Sequence, residues 1–297
     1  MRSFLFVPGD SARKFEKARA GNADALIIDL EDSVSAEAKQ TARETTRAML
    51  EMPRTSQKWF VRVNALDTGL TLADLTAVMP RRPDGIVLPK CVSATDVEKL
   101  GFFLDAFEAA SGLEAGSTRI IAVATETAES IFGLSGYRNA GPRLWGLMWG
   151  AEDLAASLGA TENSAGGVYS EPFRLARNLC LMGAAAAGLA AIDTVCTNIG
   201  DLDFVEAEAS AARRDGFAAK AVIHPSHVDP VNAAFTPRPE EVAWAERVLS
   251  AFAADPLAGV VKIDGKMIDK PHERAARKIM AMVNHPGGRA GAVFPGS

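Results

Sequence analysis

IIAVATETAES, residues 120–130, and LWGLMWGAEDLA, residues 144–155, are built alike. Each is a short apolar run that empties into acid: Glu126 follows IIAVAT (120–125), and Glu152 and Asp153 follow LWGLMWG (144–150). Runs this short and this apolar read as strands buried on both faces, as in parallel sheets covered by helices. Charge at the end of such a strand is costly unless something pairs with it, and a hard divalent cation suits two carboxylates.

Six further runs share the pattern. They are SFLFVP (3–8), ALIIDL (25–30), KWFVRVN (58–64), GIVLPK (85–90), AIDTVC (191–196) and AKAVIHP (219–225). Helical stretches separate them, such as DSARKFEKARAG (10–21) and SAEAKQTARETTRAMLEM (35–52), the latter opened by Ser35 as a plausible cap. Eight strands alternating with helices predict an α/β fold, a (β/α)8 TIM barrel, rather than an open dinucleotide-binding sheet. No GxGxxG follows the first strand, which weakens the dinucleotide reading further.

The segment 151–190 is longer than the other connections and holds a Gly-Gly turn at Gly166 and Gly167. The barrel domain is expected over 1–254, closing with the polar helix PEEVAWAERVLSAFAA (239–254). Residues 255–297 then form an extension, a hairpin or loop followed by one helix, with a frayed tail from His285 onward. A closed barrel has no structural need of this segment, so it is expected to cover a site or pack on a neighbouring subunit.

At 297 residues, 48% hydrophobic and with a net charge of −5, the chain reads as a globular protein with an ample core and no nucleic-acid surface. No apolar stretch approaches the roughly 18–20 residues of a membrane helix, and no secretion signal opens the chain. Three cysteines without CxxC spacing suggest reduced packing residues in a cytoplasmic protein.

In a barrel of this topology the active site gathers at the carboxyl ends of the strands. Those ends supply Asp29, Glu31 and Asp32, then Arg62 and Asn64, Lys90, Glu126, Glu152 with Asp153, and His224. Glu126 and Asp153 come from adjacent strands and can reach one ion, and Mg2+ commonly takes one or two carboxylates. Without a Cys/His cluster, zinc is not expected. Asp153 also fits an ordinary first-turn acid of a helix. Arg62, inside the apolar FVRVN, needs a planar anion: either a substrate carboxylate or one of Asp29, Glu31 and Asp32. The acids of DLEDS (29–33) could hold water beside a cation or serve as caps. Lys90 either orients an acid or binds an anion; the surrounding acids favour its charged form and argue against a Schiff base. His224 suits a ligand contact or a local hydrogen bond. Arg13, Lys14, Lys17 and Arg19 read as a solvated helix face.

The same residues carry a family resemblance. RSFLFVPGDSARKFEKA, ADALIIDLEDSV, VRVN, IVLPK, ATETAES, WGAEDLAASLG, VIHPSH and IDGKMIDKP occur in that order between residues 2 and 271. Together they resemble the citrate lyase β-subunit-like proteins, in the superfamily that also holds malyl-CoA lyases and class II pyruvate aldolases. The resemblance implies Mg2+, with Mn2+ as a substitute, held by Glu126 and Asp153. It implies that Arg62 binds the carboxylate of an α-keto acid, with Lys90 and Glu126 beside the substrate and Glu31 and Asp32 among the catalytic acids. Asp269, the Asp of MID, would be an acid/base contributed by the C-terminal segment of a neighbouring subunit in a homotrimer or hexamer.

The implied activity is reversible carbon–carbon cleavage of a β-hydroxyacyl-CoA of malyl, citramalyl or citryl type into an acyl-CoA, commonly acetyl-CoA, and an α-keto acid. Three alternatives stay open: a metal-dependent aldolase acting on a free hydroxy-keto acid, a citrate lyase β subunit acting on an acyl carrier protein, and a non-catalytic keto-acid or CoA binder.

Overall fold

A computed structural model describes residues 1–284. Eight strands close into a parallel barrel: β1 (Ser3–Pro8), β2 (Ala25–Asp29), β3 (Lys58–Arg62), β4 (Gly85–Leu88), β5 (Arg119–Val123), β6 (Leu144–Met148), β7 (Ala190–Asp193) and β8 (Ala219–Val222). Each pairs with its neighbours in chain order, and β8 returns to β1. The expected (β/α)8 barrel is the fold observed.

Helices follow the strands: α1 (Ala12–Arg19), α2 (Lys39–Leu50), α3 (Thr71–Val78), α4 (Ala94–Ser111), α5 (Ala128–Gly133), α6 (Glu152–Leu158), α7 (Glu171–Ala187), α8 (Leu202–Asp215) and α9 (Val228–Phe235). The strands bury both faces, with alternate residues serving two cores. Phe4, Ile27, Phe60, Val87, Ile121 and Ile192 fill the barrel interior. Leu5, Leu26, Ile28, Val61, Ile86 and Leu147 meet the helices outside. In the interior, alanines at 25, 219 and 221 make room for the Phe4 and Phe60 rings, whose centroids lie 5.8 Å apart.

Several expected strands run too far at their carboxyl ends. The third ends at Arg62 rather than Asn64, the fourth at Leu88, the seventh at Asp193 and the eighth at Val222. Val63, Ala124 and Trp149, buried apolar residues just past the strand ends, still donate their amides to the neighbouring strand, so both burial and hydrogen bonding run on beyond the regular strands. Ser35 makes no side-chain cap bond; a short 3-10 turn, Ala36–Ala38, precedes α2. The Gly-Gly turn joins a small hairpin, Ser164–Ala165 with Val168–Tyr169, not foreseen as strands. Gly166 (φ +59) and Gly167 (φ +79) supply the left-handed pair that a two-residue hairpin turn requires.

The extension contains the expected hairpin and helix: β9 (Val260–Ile263), β10 (Lys266–Asp269) and α11 (Lys270–Asn284). The helix α10 (Pro239–Ala254), assigned to the barrel on sequence, packs its buried Ala245, Val248 and Phe252 on Ile268 and Ala276 of the extension. The buried residues of both barrel cores end at Phe235. The tail expected to fray, from His285, lies outside the described residues.

Acids at the amino-terminal rim of the barrel are matched by cations and amides. Asp24 takes three bonds from Arg2. Asp84 pairs with Arg54 and Lys58. Glu108, in the last turn of α4 and 1% exposed, accepts from Arg143, Thr118 N and Gly116 N. Burial alone would raise its pKa, but Arg143 and the two amides outweigh burial and hold it at about 2. A depressed carboxyl stabilises the fold above its unfolded pKa and loses that contribution as pH falls through the folded value. Glu108→Gln is therefore expected to cost roughly 2 to 3 kcal/mol at pH 7. The difference from wild type should shrink between pH 4.5 and 2, as read by urea denaturation across that range.

Candidate active site

The carboxyl-terminal rim is organised differently. The β2–β3 register sets Asp29 directly beside Arg62. Asp29, 2% exposed, accepts from Arg62 Nε and Nη2 at 2.7 Å each. It also accepts from the amides of Glu31 (2.9 Å) and Ser33 (3.1 Å), which folds the DLEDS loop around its carboxylate. Burial would raise the pKa of Asp29, but Arg62 outweighs it and the pKa is lowered. Arg62 stacks over the Phe6 ring at 4.9 Å, at the top of the interior core. Its Nη1 lies 3.0 Å from Glu31 Oε2 and 4.0 Å from Asp32. Burial disfavours the guanidinium charge, yet Asp29, Glu31 and Glu126 together raise its pKa. Of the two anion partners open on sequence, the one in this structure is Asp29, with Glu31 sharing the Nη1 side.

Lys90 joins the loops after β2, β4, β5 and β6. Its ammonium is 2.6 Å from Glu31, 3.5 Å from Asp32 and 3.6 Å from Asp153. Its backbone is left-handed, φ +48, which costs a long side chain on the order of 1 kcal/mol. That conformation aims its amide N–H at Glu126 Oε2 while the ammonium reaches Glu31. Burial lowers the pKa of Lys90, but the hydrogen bond and charge of Glu31 more than reverse this, so the group stays an ammonium.

Glu126, 5% exposed, leaves β5 two residues before α5 begins. Among the described residues its carboxyl has no cation in ion-pair contact; the Lys90 amide is its hydrogen-bond donor. Burial first, with Glu31 and Asp153 adding repulsion, pushes it up to about 8 against that amide and Arg62. The carboxyl has space because Gly150 lies beside it: a Cβ there would sit 2.9 Å from Glu126 Cγ and 3.3 Å from Oε1. Asp153, one-third exposed, stands in the first turn of α6 near Lys90.

This set tests the fit of a divalent cation. Five carboxyls (Asp29, Glu31, Asp32, Glu126, Asp153) share two cations, Arg62 and Lys90. Glu31 Oε2 is buried without a hydrogen bond, since the nearby Arg62 lacks the geometry to donate to it. A buried carboxyl forced towards its neutral form, in a cluster of excess negative charge, suits a hard cation with oxygen ligands. Glu126 and Asp153 are the two acids not claimed by Arg62. No group of three or more His, Cys, Asp or Glu is placed to hold a metal among the described residues. A cation here would thus keep open positions for water or ligand oxygens.

The structure brings together Glu31, Asp32, Arg62, Lys90, Glu126 and Asp153. Asp269 is not among them: half-exposed at the end of β10, it bonds His272 Nδ1 at 2.5 Å. His224 is engaged locally with Ser226 Oγ at 2.6 Å. Arg13, Lys14 and Lys17 are exposed. The three cysteines are buried, and burial pushes Cys91 up to about 12, far from a reactive thiolate. Sequence reasoning missed the shaping role of Gly150 and the Lys90 amide. It also missed an outer cluster in which buried Asp193 and Lys220 meet partly buried Arg177 and Glu208; its traces in the sequence are an acid inside the apolar AIDTVC and a lysine inside the apolar AKAV.

Among the described residues, no helix is long and apolar enough to cross a membrane. Comparison with known proteins gives concordant matches. The family model HpcH/HpaI aldolase/citrate lyase matches residues 2–225. A (3S)-malyl-CoA thioesterase of Cereibacter sphaeroides is 34% identical over 287 residues, 94% of this chain and 93% of the relative. Citrate lyase subunit beta of Haemophilus influenzae is 36% identical over 273 residues, 91% and 92% of the two chains. Among solved structures, CitE from Mycobacterium tuberculosis in complex with magnesium, acetoacetate and coenzyme A is 32% identical. It superposes with a TM-score of 0.77 over 95% of this chain and 98% of that one. With three-quarters of its length under the family model and relatives of more than 30% identity along nearly all of it, the chain belongs to the HpcH/HpaI aldolase/citrate lyase family.

Proposed function

We propose that the protein is a magnesium-dependent carbon–carbon lyase that cleaves a β-hydroxyacyl-CoA reversibly into an acyl-CoA and an α-keto acid. The observation that carries this reading is Glu126, a buried carboxyl with no cation in ion-pair contact among the described residues, set near Asp153 in a cluster with excess acid. The solved relative bound to magnesium, acetoacetate and coenzyme A supports the same ligand classes. Glu126 and Asp153 would hold Mg2+, which when bound supplies Lewis-acid stabilisation of negative charge developing on a keto oxygen. Mn2+ serves as a substitute.

The chain's own residues then divide the work. Asp29 takes the Nε–Nη2 edge of Arg62 and leaves the Nη1 side, shared with Glu31, to orient the keto-acid carboxylate. Burial raises the pKa of Glu31 against the opposing pull of Arg62 and Lys90, and Lys90 also sets the Glu126 carboxyl through its amide. Asp32, half-exposed beside both cations, faces the open side of the site. In the condensation direction Asp269 takes a proton from the acyl carbon next to the thioester carbonyl, that carbon attacks the keto carbon, and the keto oxygen takes a proton from solvent to become the hydroxyl. In cleavage the hydroxyl gives its proton to solvent, the carbon–carbon bond breaks with its electron pair left on the acyl carbon, and protonated Asp269 returns a proton to that carbon. Asp269 sits in an extension that packs on α10 and apart from the acid cluster; in this reading it serves a site on a neighbouring subunit of a homo-oligomer, a trimer or hexamer.

A second reading, hydrolysis of malyl-CoA, is favoured by the relatives named as thioesterases. Incubation with malyl-CoA separates the two: a lyase releases acetyl-CoA and glyoxylate, a thioesterase releases malate and free CoA.

Glu126→Gln and Asp153→Asn are each expected to lower cleavage about a thousandfold and to abolish the rise in melting temperature on adding MgCl2. Retention of that rise in both variants would refute the assigned ligands. Asp269→Asn should keep the magnesium-dependent rise but lose about a thousandfold in rate. Mixing inactive Asp269→Asn with inactive Glu126→Gln should then restore activity, to about a quarter of wild type for random pairing of subunits. No recovery on mixing would show that Asp269 does not act across an interface.

A further inference from the structure

Trp149 lies one residue past β6, on the outer face of the sheet, fully buried. It is the last apolar residue before Gly150 and stands four residues before Asp153. Its indole Nε1 donates to Asp193 Oδ1 at 2.7 Å. Asp193 ends β7, 2% exposed, in line with the β6–β7 register that pairs Met148 with Ile192. The same carboxylate accepts from Arg177 Nε on α7 at 3.0 Å and from Lys220 Nζ on β8 at 3.1 Å. Lys220, with no exposed surface, also reaches Thr194 O (2.8 Å) and Glu208 on α8 (3.0 Å). Asp193 is therefore pinned from two further elements before it meets the indole.

The segment that Trp149 anchors has little freedom to move. Gly150 N donates to Thr125 Oγ1 at 3.0 Å, next to Glu126 in the chain. The space a Cβ at Gly150 would occupy is already filled by Glu126 Cγ. A shift of this turn would move Gly150, which packs beside Glu126 where a side chain would not fit, and swing Asp153 with the first turn of α6. The Tyr169 ring closes on Trp149 edge-on, centroids 5.0 Å apart, and leaves the indole one orientation.

We infer that Asp193 is a positioning residue for the cation site, acting through the Trp149 indole N–H to fix the distance between Glu126 and Asp153. This rests on the reading of those two acids as the magnesium-holding pair. Partners of metal-holding groups commonly change metal affinity ten- to a hundredfold when removed. Removing the N–H leaves Asp193 with Arg177 and Lys220, so the buried carboxylate is not orphaned and the fold is expected to persist.

The test is Mn2+ binding to the purified full chain, followed by the electron paramagnetic resonance of free Mn2+, alongside melting temperature. Trp149→Phe keeps an aromatic ring and loses the donor. Should it not fold, 3-benzothienylalanine at position 149 replaces the N–H by sulfur at nearly equal size. Trp59→Phe is the control: Trp59 is equally buried on the outer face, and its Nε1 has no partner among the described residues. The expected result is a Kd for Mn2+ about tenfold higher in the Trp149 variant, and unchanged in the Trp59 variant, at comparable melting temperatures. Equal Mn2+ affinity in wild type and the Trp149 variant overturns the inference. Failure of wild type to bind Mn2+, or undiminished binding by Glu126→Gln, overturns the metal assignment itself and the inference with it.

Discussion

A closed parallel sheet buries both faces of every strand, so charge can enter it cheaply only where strands end. That constraint shapes the whole molecule. Alternate residues are committed to an interior core around Phe4 and Phe60 or to an outer core beneath the helices. Polar chemistry is driven to two rims and to buried clusters such as those around Asp193 and Asp74. The barrel does not choose an active site so much as leave few places where ionised groups can stand.

The amino-terminal rim satisfies each of its acids named above, whereas the carboxyl-terminal rim satisfies Asp29 and leaves Glu126 short. On the amino-terminal side, Asp24, Asp84 and Glu108 are each saturated by cations and backbone amides. Saturation depresses the Glu108 carboxyl and makes it a structural element. On the other side, Glu126 is just as buried but is met by a single amide, and its carboxyl is pushed up instead. The contrast separates acids that hold the fold from acids that await a partner, and it does so within one protein of ordinary overall charge.

Much of this was legible in the sequence, for a physical reason. A strand buried on both faces must be apolar throughout, so eight apolar runs mark eight strands and the acids after them mark the rim. Their carboxyl ends were less legible, because Val63, Ala124 and Trp149 stay buried and bonded to the next strand just past the end of the regular strand. Partner choice was not legible for Arg62, since it depends on the register that sets Asp29 across from it. Nor could the left-handed backbone of Lys90 be read, because lysine carries no signal for it and the surroundings impose it. Gly150 looked like a turn residue; only the approach of Glu126 shows what its missing side chain is for. The helix at 239–254 carried an amphipathic pattern that revealed a buried face, though not which core received it.

That helix gives the molecule a seam. Among the described residues, neither barrel core draws a buried residue from beyond Phe235, while α10, the hairpin and α11 share a core of their own. Where α10 meets the barrel, an exchangeable polar contact appears, Arg213 with Glu241 at 3.0 Å. Evolution can therefore trade the last sixty or so residues as a cassette without uncovering the barrel's oil. One scaffold can be inherited intact while the part that carries Asp269 is lengthened, reshaped or dropped; on the role proposed for Asp269, kindred chains could keep the same acids and differ in the reactions they finish.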